Sequence, residues 1–331
     1  MISVIMPTFN TPKEMLEQAI NSILNQTYGD FEFIIINDCS TDDTAEYLRT
    51  FSDKRIRVIE NQKNLGITKS LNVGIREAKG EYIARMDSDD IAYPERFEKQ
   101  LKFMQDNPSV IVCGTWIQAF GSKNYTAKRV LPNREYLACS FVFGNIYGLS
   151  HPTAFFRADL LKQNDVEYNE ELPTAQDYGM WTECVKYGEI ANVSEVLLSY
   201  RVHDSQVSIA KKELQESCVK KVQKNLLTSL MGEISDEQLE KHFKLCKNIN
   251  YSKNTLRWFK VLKKANAGKK VYDKKVFNKV ASDVIKSKIK NSAVNAKSLK
   301  GLIKLFFSVP ISKQGLVLKT AVKRLTRKKS V

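Results

Sequence analysis

Tyr82-Ile83-Ala84-Arg85-Met86-Asp87-Ser88-Asp89-Asp90-Ile91 carries an apolar strand straight into a knot of carboxylates. Tyr82, Ile83, Ala84 and Met86 read as a buried strand, and Asp87, Asp89 and Asp90 follow at once. Carboxylates so close repel one another unless a cation or an outward-facing rim accommodates them. Hard divalent cations such as Mn²⁺ and Mg²⁺ take oxygen ligands, commonly one or two carboxylates with substrate phosphates completing the shell. The structural alternative is an acidic turn capping a helix that begins near Pro94. The position favours function, because open α/β sheets bind ligands at the carboxyl ends of their strands.

Outward from this stretch, residues 3–6, 31–36, 56–59 and 110–118 read as further strands. Helical spacing separates them at 13–25, 44–51, 67–78 and 94–105. Strands joined by single helices imply right-handed crossovers and an α/β fold with a mainly parallel sheet. The ends of the first, second and fourth strands carry Thr8 with Asn10, Asn37 with Asp38, and Asp87 with Asp89, which is where a nucleotide would sit. Beyond Leu131 the rhythm loosens, with strands expected at 153–157 and 196–202 around a helix at 177–187. After Ser208 the pattern is helical and Lys-rich, with segments near 210–231, 236–247, 254–265, 272–290, 297–307 and 314–326. The expected division is a catalytic domain over 1–208 and a basic helical region over 209–331.

The 331 residues suffice for one large α/β domain and an appendage. No apolar run is long enough to span a bilayer, and a strand pattern starting at once leaves no signal peptide to expect. Six cysteines are scattered without C-x-x-C spacing, which argues against zinc and a disulfide framework and for a reducing, cytoplasmic setting. The net charge of +15 is unevenly placed. Residues 260–331 hold 21 Lys and Arg against Asp273 and Asp283, whereas residues 1–259 hold 31 bases and 35 acids. A mildly acidic body with a strongly basic tail speaks about partners rather than fold.

Asp38, at the tip of the second strand, is placed to accept hydrogen bonds from a base or ribose, while Thr41 or Asp42 is a cap for the next helix. Asn64-Leu65-Gly66 precedes another helix, and its glycine lets backbone approach a ligand closely. Neither G-x-G-x-x-G nor G-x-x-x-x-G-K-[ST] occurs, so no dinucleotide fingerprint or P-loop is present. Asp177 opens a helix beside Tyr178, Met180 and Trp181; the helix dipole alone favours an acid there, and apolar surroundings would tune its pKa. His203 follows a strand and fits either a ligand or a structural hydrogen bond. His151, before Pro152, is a weaker chemical candidate.

Taken in order, SVIMPTFN, IIINDCSTDDT, NLGITKSLNVGI, YIARMDSDDI, SHPTAFFR, AQDYGMW and YRVHDSQVS resemble family 2 inverting glycosyltransferases of the GT-A fold over roughly residues 1–210. The resemblance implies that Thr8, Asn10 and Asp38 line the base and ribose pocket, with Asn64 beside them. It implies that Asp87 faces ribose and metal, that Asp89 ligates Mn²⁺ or Mg²⁺ under the diphosphate, and that His203 completes that site. Asp177 would be the catalytic base, and the donor a nucleotide-sugar, UDP by default. The sequence departs from many members by Gln176 in place of Glu before the base, and by Leu71 where Arg is common.

A sugar nucleotidyltransferase also needs a nucleotide-binding α/β domain, but it usually has a Gly-rich basic loop after the first strand; Pro7-Thr8-Phe9-Asn10-Thr11-Pro12 stands there instead. A nucleic-acid-binding protein would use the basic tail, yet that tail interleaves its cations with Leu, Ile and Phe rather than stacking aromatics. No nucleic-acid partner is therefore expected. Leu299, Leu302, Ile303 and Phe306 share one helical face beside Lys297, Lys300 and Lys304. Leu318, Ala321, Val322 and Leu325 repeat the pattern ahead of Arg327, Lys328 and Lys329. Such helices fit an anionic membrane surface through residues 297–331, holding the enzyme peripherally at the inner face of the cell membrane near a glycan or lipid-linked acceptor. Packing of the same helices on protein, including a second subunit in an oligomer, is the alternative.

Overall fold

A computed structural model describes residues 1–144, 148–203, 212–296 and 298–327. Residues 204–208 of the last motif, and Lys297, Lys328 and Lys329 of the tail pattern, lie outside the described residues, as do the side chains of Leu299, Leu325 and Arg327.

Among the described residues nine strands form one sheet. They are β1 (Ile2–Thr8), β2 (Phe31–Asn37), β3 (Ile56–Glu60), β4 (Tyr82–Arg85), β5 (Ile91–Ala92), β6 (Val110–Gly121), β7 (Tyr125–Ala127), β8 (Phe155–Arg157) and β9 (Glu189–Val202). The order is β3-β2-β1-β4-β8-β6-β9-β5, with β7 added to β6. β1 to β4 pair in parallel, β8 runs against both neighbours, and β6 and β9 are parallel to each other. Six strands therefore point the same way and deliver their carboxyl ends to one rim, as the alternation of elements predicts. β1 and β4 are buried along their whole length. That is the signature of a sheet covered on both faces.

The crossover helices are amphipathic at the spacing expected. Helix α1 (Lys13–Leu24) buries Leu16, Ala19, Ile20 and Ile23. Helix α2 (Thr44–Leu48) is shorter than predicted. Helix α3 (Ile67–Glu77) buries Leu71 and Ile75, and α4 (Arg96–Asp106) buries Phe97 and Met104. Three further helices lie where the sequence is less regular: α5 (Arg134–Val142), α6 (Ala158–Gln163) and α7 (Gln176–Tyr187).

β5 is only two residues long and has no alternating pattern to announce it. It pairs antiparallel with β9, Ile91 opposite Ser199. β9 extends well upstream of the expected start at Val196, because residues 189–193 pair with β6 before an irregularity that skips Ser194 and Glu195.

The chain divides into two compact units, Met1–Arg134 with Tyr147–Val219, and Glu135–Ile146 with Lys220–Val331. The boundary expected at 208/209 differs from this division, in which α5 and Phe143 join the core of the C-terminal unit. That core joins Cys139, Val142 and Phe143 to Phe259, Phe277 and Ile289. It is built on α8 (Lys212–Met231), α9 (Asp236–Lys247), α10 (Lys253–Lys269), α11 (Lys274–Asn295), α12 (Leu299–Ser308) and α13 (Ile311–Arg327). Ser235 and Gln238 form a reciprocal capping box at the start of α9, and Ser252, Asp273 and Ser298 cap the starts of α10, α11 and α12. Each such cap contributes about 1 kcal/mol. All six cysteines are free thiols. No described helix is long and apolar enough to cross a membrane.

Candidate active site

β4 ends at Arg85, and the three carboxylates follow at the sheet rim. Ligand oxygens of Asp87, Asp89 and Asp90 lie within 4.8 Å of one another. The β5–β9 pairing folds the end of β9 back over this turn. Arg201 N donates to Asp90 Oδ1 at 2.8 Å, and His203 Nε2 stands 3.0 Å from Asp89 Oδ2. Asp89 and His203, remote in sequence, are thus direct neighbours. Asp90 was not singled out as a ligand by sequence reasoning, yet it is fully buried and its Oδ2 has no hydrogen-bond partner.

Two buried arginines stand behind the acids. Arg85 donates to Asp87 Oδ2 at 2.6 Å and also pairs with Asp87 Oδ1, while Arg96 Nη2 donates to Arg85 O at 2.7 Å and so ties α4 to the end of β4. Burial, with help from the Arg85 charge, brings Arg96 down to about 9. Burial pushes the Asp87 carboxyl up against the pull of Arg85, and burial with repulsion from Asp87 and Asp89 pushes Asp90 well up. An orphaned buried oxygen and carboxyls raised by burial fit a hard divalent cation, which would reverse those shifts. Asp89, His203 and Asp90 are the residues that would hold it, since Arg85 already engages both oxygens of Asp87. The only hint of Arg85 in the sequence is a cation inside an otherwise apolar strand.

Asp38, at the end of β2, is buried and heavily engaged. Its Oδ1 accepts from Asn61 Nδ2 and Leu65 N, its Oδ2 accepts from Gly66 N, all at 2.8 Å, and its backbone oxygen accepts from Asn64 Nδ2 at 3.3 Å. Gly66 adopts φ +83°, a left-handed conformation that favours glycine and turns the chain into α3. With two acceptor positions per oxygen, Oδ2 retains the capacity to meet one ligand donor. Asp38 therefore shapes the pocket as much as it lines it. Replacing Asp38 by alanine is expected to lower stability by on the order of 3 kcal/mol, because the buried amides of Leu65 and Gly66 lose their acceptor. Thermal melting with and without UDP checks this: the melting point and the UDP-induced shift should fall together.

Thr8 Oγ1 donates to Thr11 Oγ1 at 3.0 Å, and Thr11 reaches Ser88 Oγ at 2.8 Å, joining the β1 loop to the acidic turn. Asn10 has φ +49° and exchanges hydrogen bonds with Thr41. These two residues connect the rim loops to one another. Asp42 Oδ1 accepts from Thr44 N at 3.1 Å at the start of α2.

Asp177 sits in the first turn of α7, half-buried. Ala175 before it is left-handed at φ +54°, a costly conformation for a residue with a Cβ, and it sets the direction in which the helix starts. Burial raises the Asp177 carboxyl, opposed by its hydrogen bond from Tyr178 N and by the charges of Arg85 and Arg129. Arg85 therefore acts on Asp87 and Asp177 alike. One turn on, Trp181 is fully buried, stacked on Phe156 and edge-on to His151. His151 Nε2 lies 2.8 Å from Tyr168 Oη, and burial holds this histidine well below its usual range, hence neutral. The segment leading to α7 is braced against α3. Asn72 donates to Tyr168 O and accepts from Tyr168 N, both at 2.9 Å, and Thr68 Oγ1 donates to Leu172 O at 2.7 Å. Leu71 of α3 is fully buried.

Six co-directed strands put the acidic turn on the rim where open α/β sheets bind ligands. The chain belongs to glycosyl transferase family 2, whose family model matches residues 3–164. An uncharacterized glycosyltransferase of Haemophilus influenzae is 33% identical over 247 residues, covering 71% of this chain and 75% of that one. Another, of Methanocaldococcus jannaschii, is 34% identical over 220 residues, 64% of this chain and 75% of that one. Among solved structures, S. aureus TarS 1–349 in complex with UDP superposes with TM-score 0.57 at 21% identity, over 98% of this chain and 88% of that one.

Proposed function

We propose that the chain transfers a hexose or N-acetylhexosamine, with inversion, from a UDP-sugar to a hydroxyl of a glycan or lipid-linked acceptor, in cell-surface polysaccharide synthesis at the cytoplasmic face of a membrane. We assign catalysis to the sheet-bearing unit. The observation that carries the reading is the meeting of Asp89, Asp90 and His203 at the sheet rim, with Arg85 acting on both that cluster and Asp177. UDP is favoured because TarS, of the same fold, has been seen with UDP and with UDP-GlcNAc.

Thr8, Asn10, Asp38 and Asn64 form or brace the base and ribose pocket, and Asp87 is held for the ribose side by Arg85. A divalent cation on Asp89 and His203 would supply charge neutralisation for the departing diphosphate. Asp177 accepts the proton of the attacking acceptor hydroxyl, and its surroundings of Trp181, Tyr168 and His151 limit competing water. Attack from the face opposite the leaving group inverts the anomeric centre.

Incubation with a panel of UDP-sugars and Mn²⁺ tests the reading. Release of UDP, accelerated by acceptor, is the expected result. Pyrophosphate release would indicate a nucleotidyltransferase, and no turnover of any donor would overturn the proposal.

A further inference from the structure

The two C-terminal helices differ from their sequence pattern in one respect that matters. Leu302, Leu305 and Phe306 pack against the core of the helical unit, and Val309 and Val317 are buried within it. The side chains that face outward are different ones. On α12 they are Ile303, 50% exposed, and Phe307, 73%; on α13 they are Ile311, 85%, Leu318, 55%, and Val322, 59%. Ile311, Leu318 and Val322 are seven and then four residues apart, so they form one stripe along α13. Exposed lysines flank both outward faces, Lys300 and Lys304 on α12, Lys319 and Lys323 on α13. No acidic residue follows Asp283, while 13 Lys and Arg do.

We propose that this outward face of α12 and α13 is a docking surface for a bilayer of anionic phospholipids. Large apolar side chains edged by lysines match a membrane interface, where the apolar groups enter the acyl boundary and the long lysine stems carry their charges up to the headgroups. A protein partner is matched less well, because interface cores are depleted in lysine. The uniform sign of the charge selects an anionic surface. The helices keep their core contacts while docked, since Leu302, Leu305, Val309 and Val317 hold them to the unit and the lipid-facing side chains are other, largely exposed ones. The inference gives the proposed lipid-linked acceptor its meeting place, but its test needs neither donor nor acceptor.

Removal of residues 297–331 would open the core at Val309 and Val317, so point variants of the full chain are the sharper tool. Wild-type protein is expected to float with phosphatidylglycerol vesicles at low salt, to be released by high salt, and to ignore phosphatidylcholine vesicles. Phe307→Asp with Ile311→Asp alters two largely exposed side chains and should abolish flotation while melting temperature and UDP affinity stay unchanged. Lys300→Glu with Lys304→Glu should weaken binding at least tenfold, each lost charge counting roughly fivefold. Wild-type protein that fails to float or floats equally with neutral lipid, or a folded Phe307→Asp, Ile311→Asp variant that still floats, would overturn the proposal. Flotation without UDP release would leave this surface intact and remove the glycosyl-transfer reading; UDP release without flotation would do the opposite.

Discussion

Asp177→Asn is expected to reduce sugar transfer by roughly two to four orders of magnitude, the range for removing a general base. The amide keeps the shape of the side chain and can still accept from Tyr178 N, so α7 should start as before and UDP binding should change little. Single-turnover transfer alongside calorimetric UDP titration separates the two effects, and a variant that turns over near the wild-type rate would remove Asp177 from the role. As the proposed base, the same residue is expected to set the acid limb of the pH profile. A base works only when ionised, and burial raises this carboxyl above its ordinary range, against the opposing charges of Arg85 and Arg129. Activity should therefore fail, on acidification, at a higher pH than an unperturbed aspartate would give. Replacing Arg129 by glutamine should move that limb higher still.

Asp89→Ala is expected to weaken Mn²⁺-dependent UDP binding by roughly a hundredfold or more, at or beyond the upper end of what second-shell changes cost a metal site. His203→Ala should lose less, since Asp89 and Asp90 remain. Chelation should silence the wild type and added Mn²⁺ or Mg²⁺ should restore it. Thermal stability in chelator provides the control: Asp89→Ala relieves repulsion among three crowded carboxylates but loses the contact with His203, so it should melt close to the wild type. Unchanged titration of UDP with Mn²⁺ would exclude Asp89 from the site.

The parallel half of the sheet was legible because β1, β2 and β4 are apolar runs ended by polar residues, separated by helices of clear period. The acidic turn was legible because three carboxylates interrupt that logic. The meeting of His203 with Asp89 rested on resemblance alone, since it depends on β5, two residues whose pairing leaves no periodic trace. The arginines behind the acids were barely legible for a different reason. Arg85 and Arg96 look like surface residues by type, and only burial reveals that they balance charge inside the fold. Thr8, Asn10 and Asp38 were found as polar residues at strand ends, but their hydrogen bonds, which lace the rim loops together, require the third dimension. Helix α5 carried no sign of belonging with the C-terminal helices, because it has no strong amphipathic stripe.

The brace between α3 and the segment before Asp177 constrains how this sequence can change length. Loops usually absorb insertions and deletions with little consequence. Here Tyr168 and Leu172 are bonded to Asn72 and Thr68, so the chain between them spans two fixed anchor points, and the remainder runs directly into a left-handed Ala175. One residue more or less between Leu172 and Gln176 would rotate the first turn of α7 and swing Asp177 away from its station. Homologous recombination or loop grafting in this region should therefore succeed only when α3 and the whole span from Glu167 to Asp177 are exchanged together, as one inherited block.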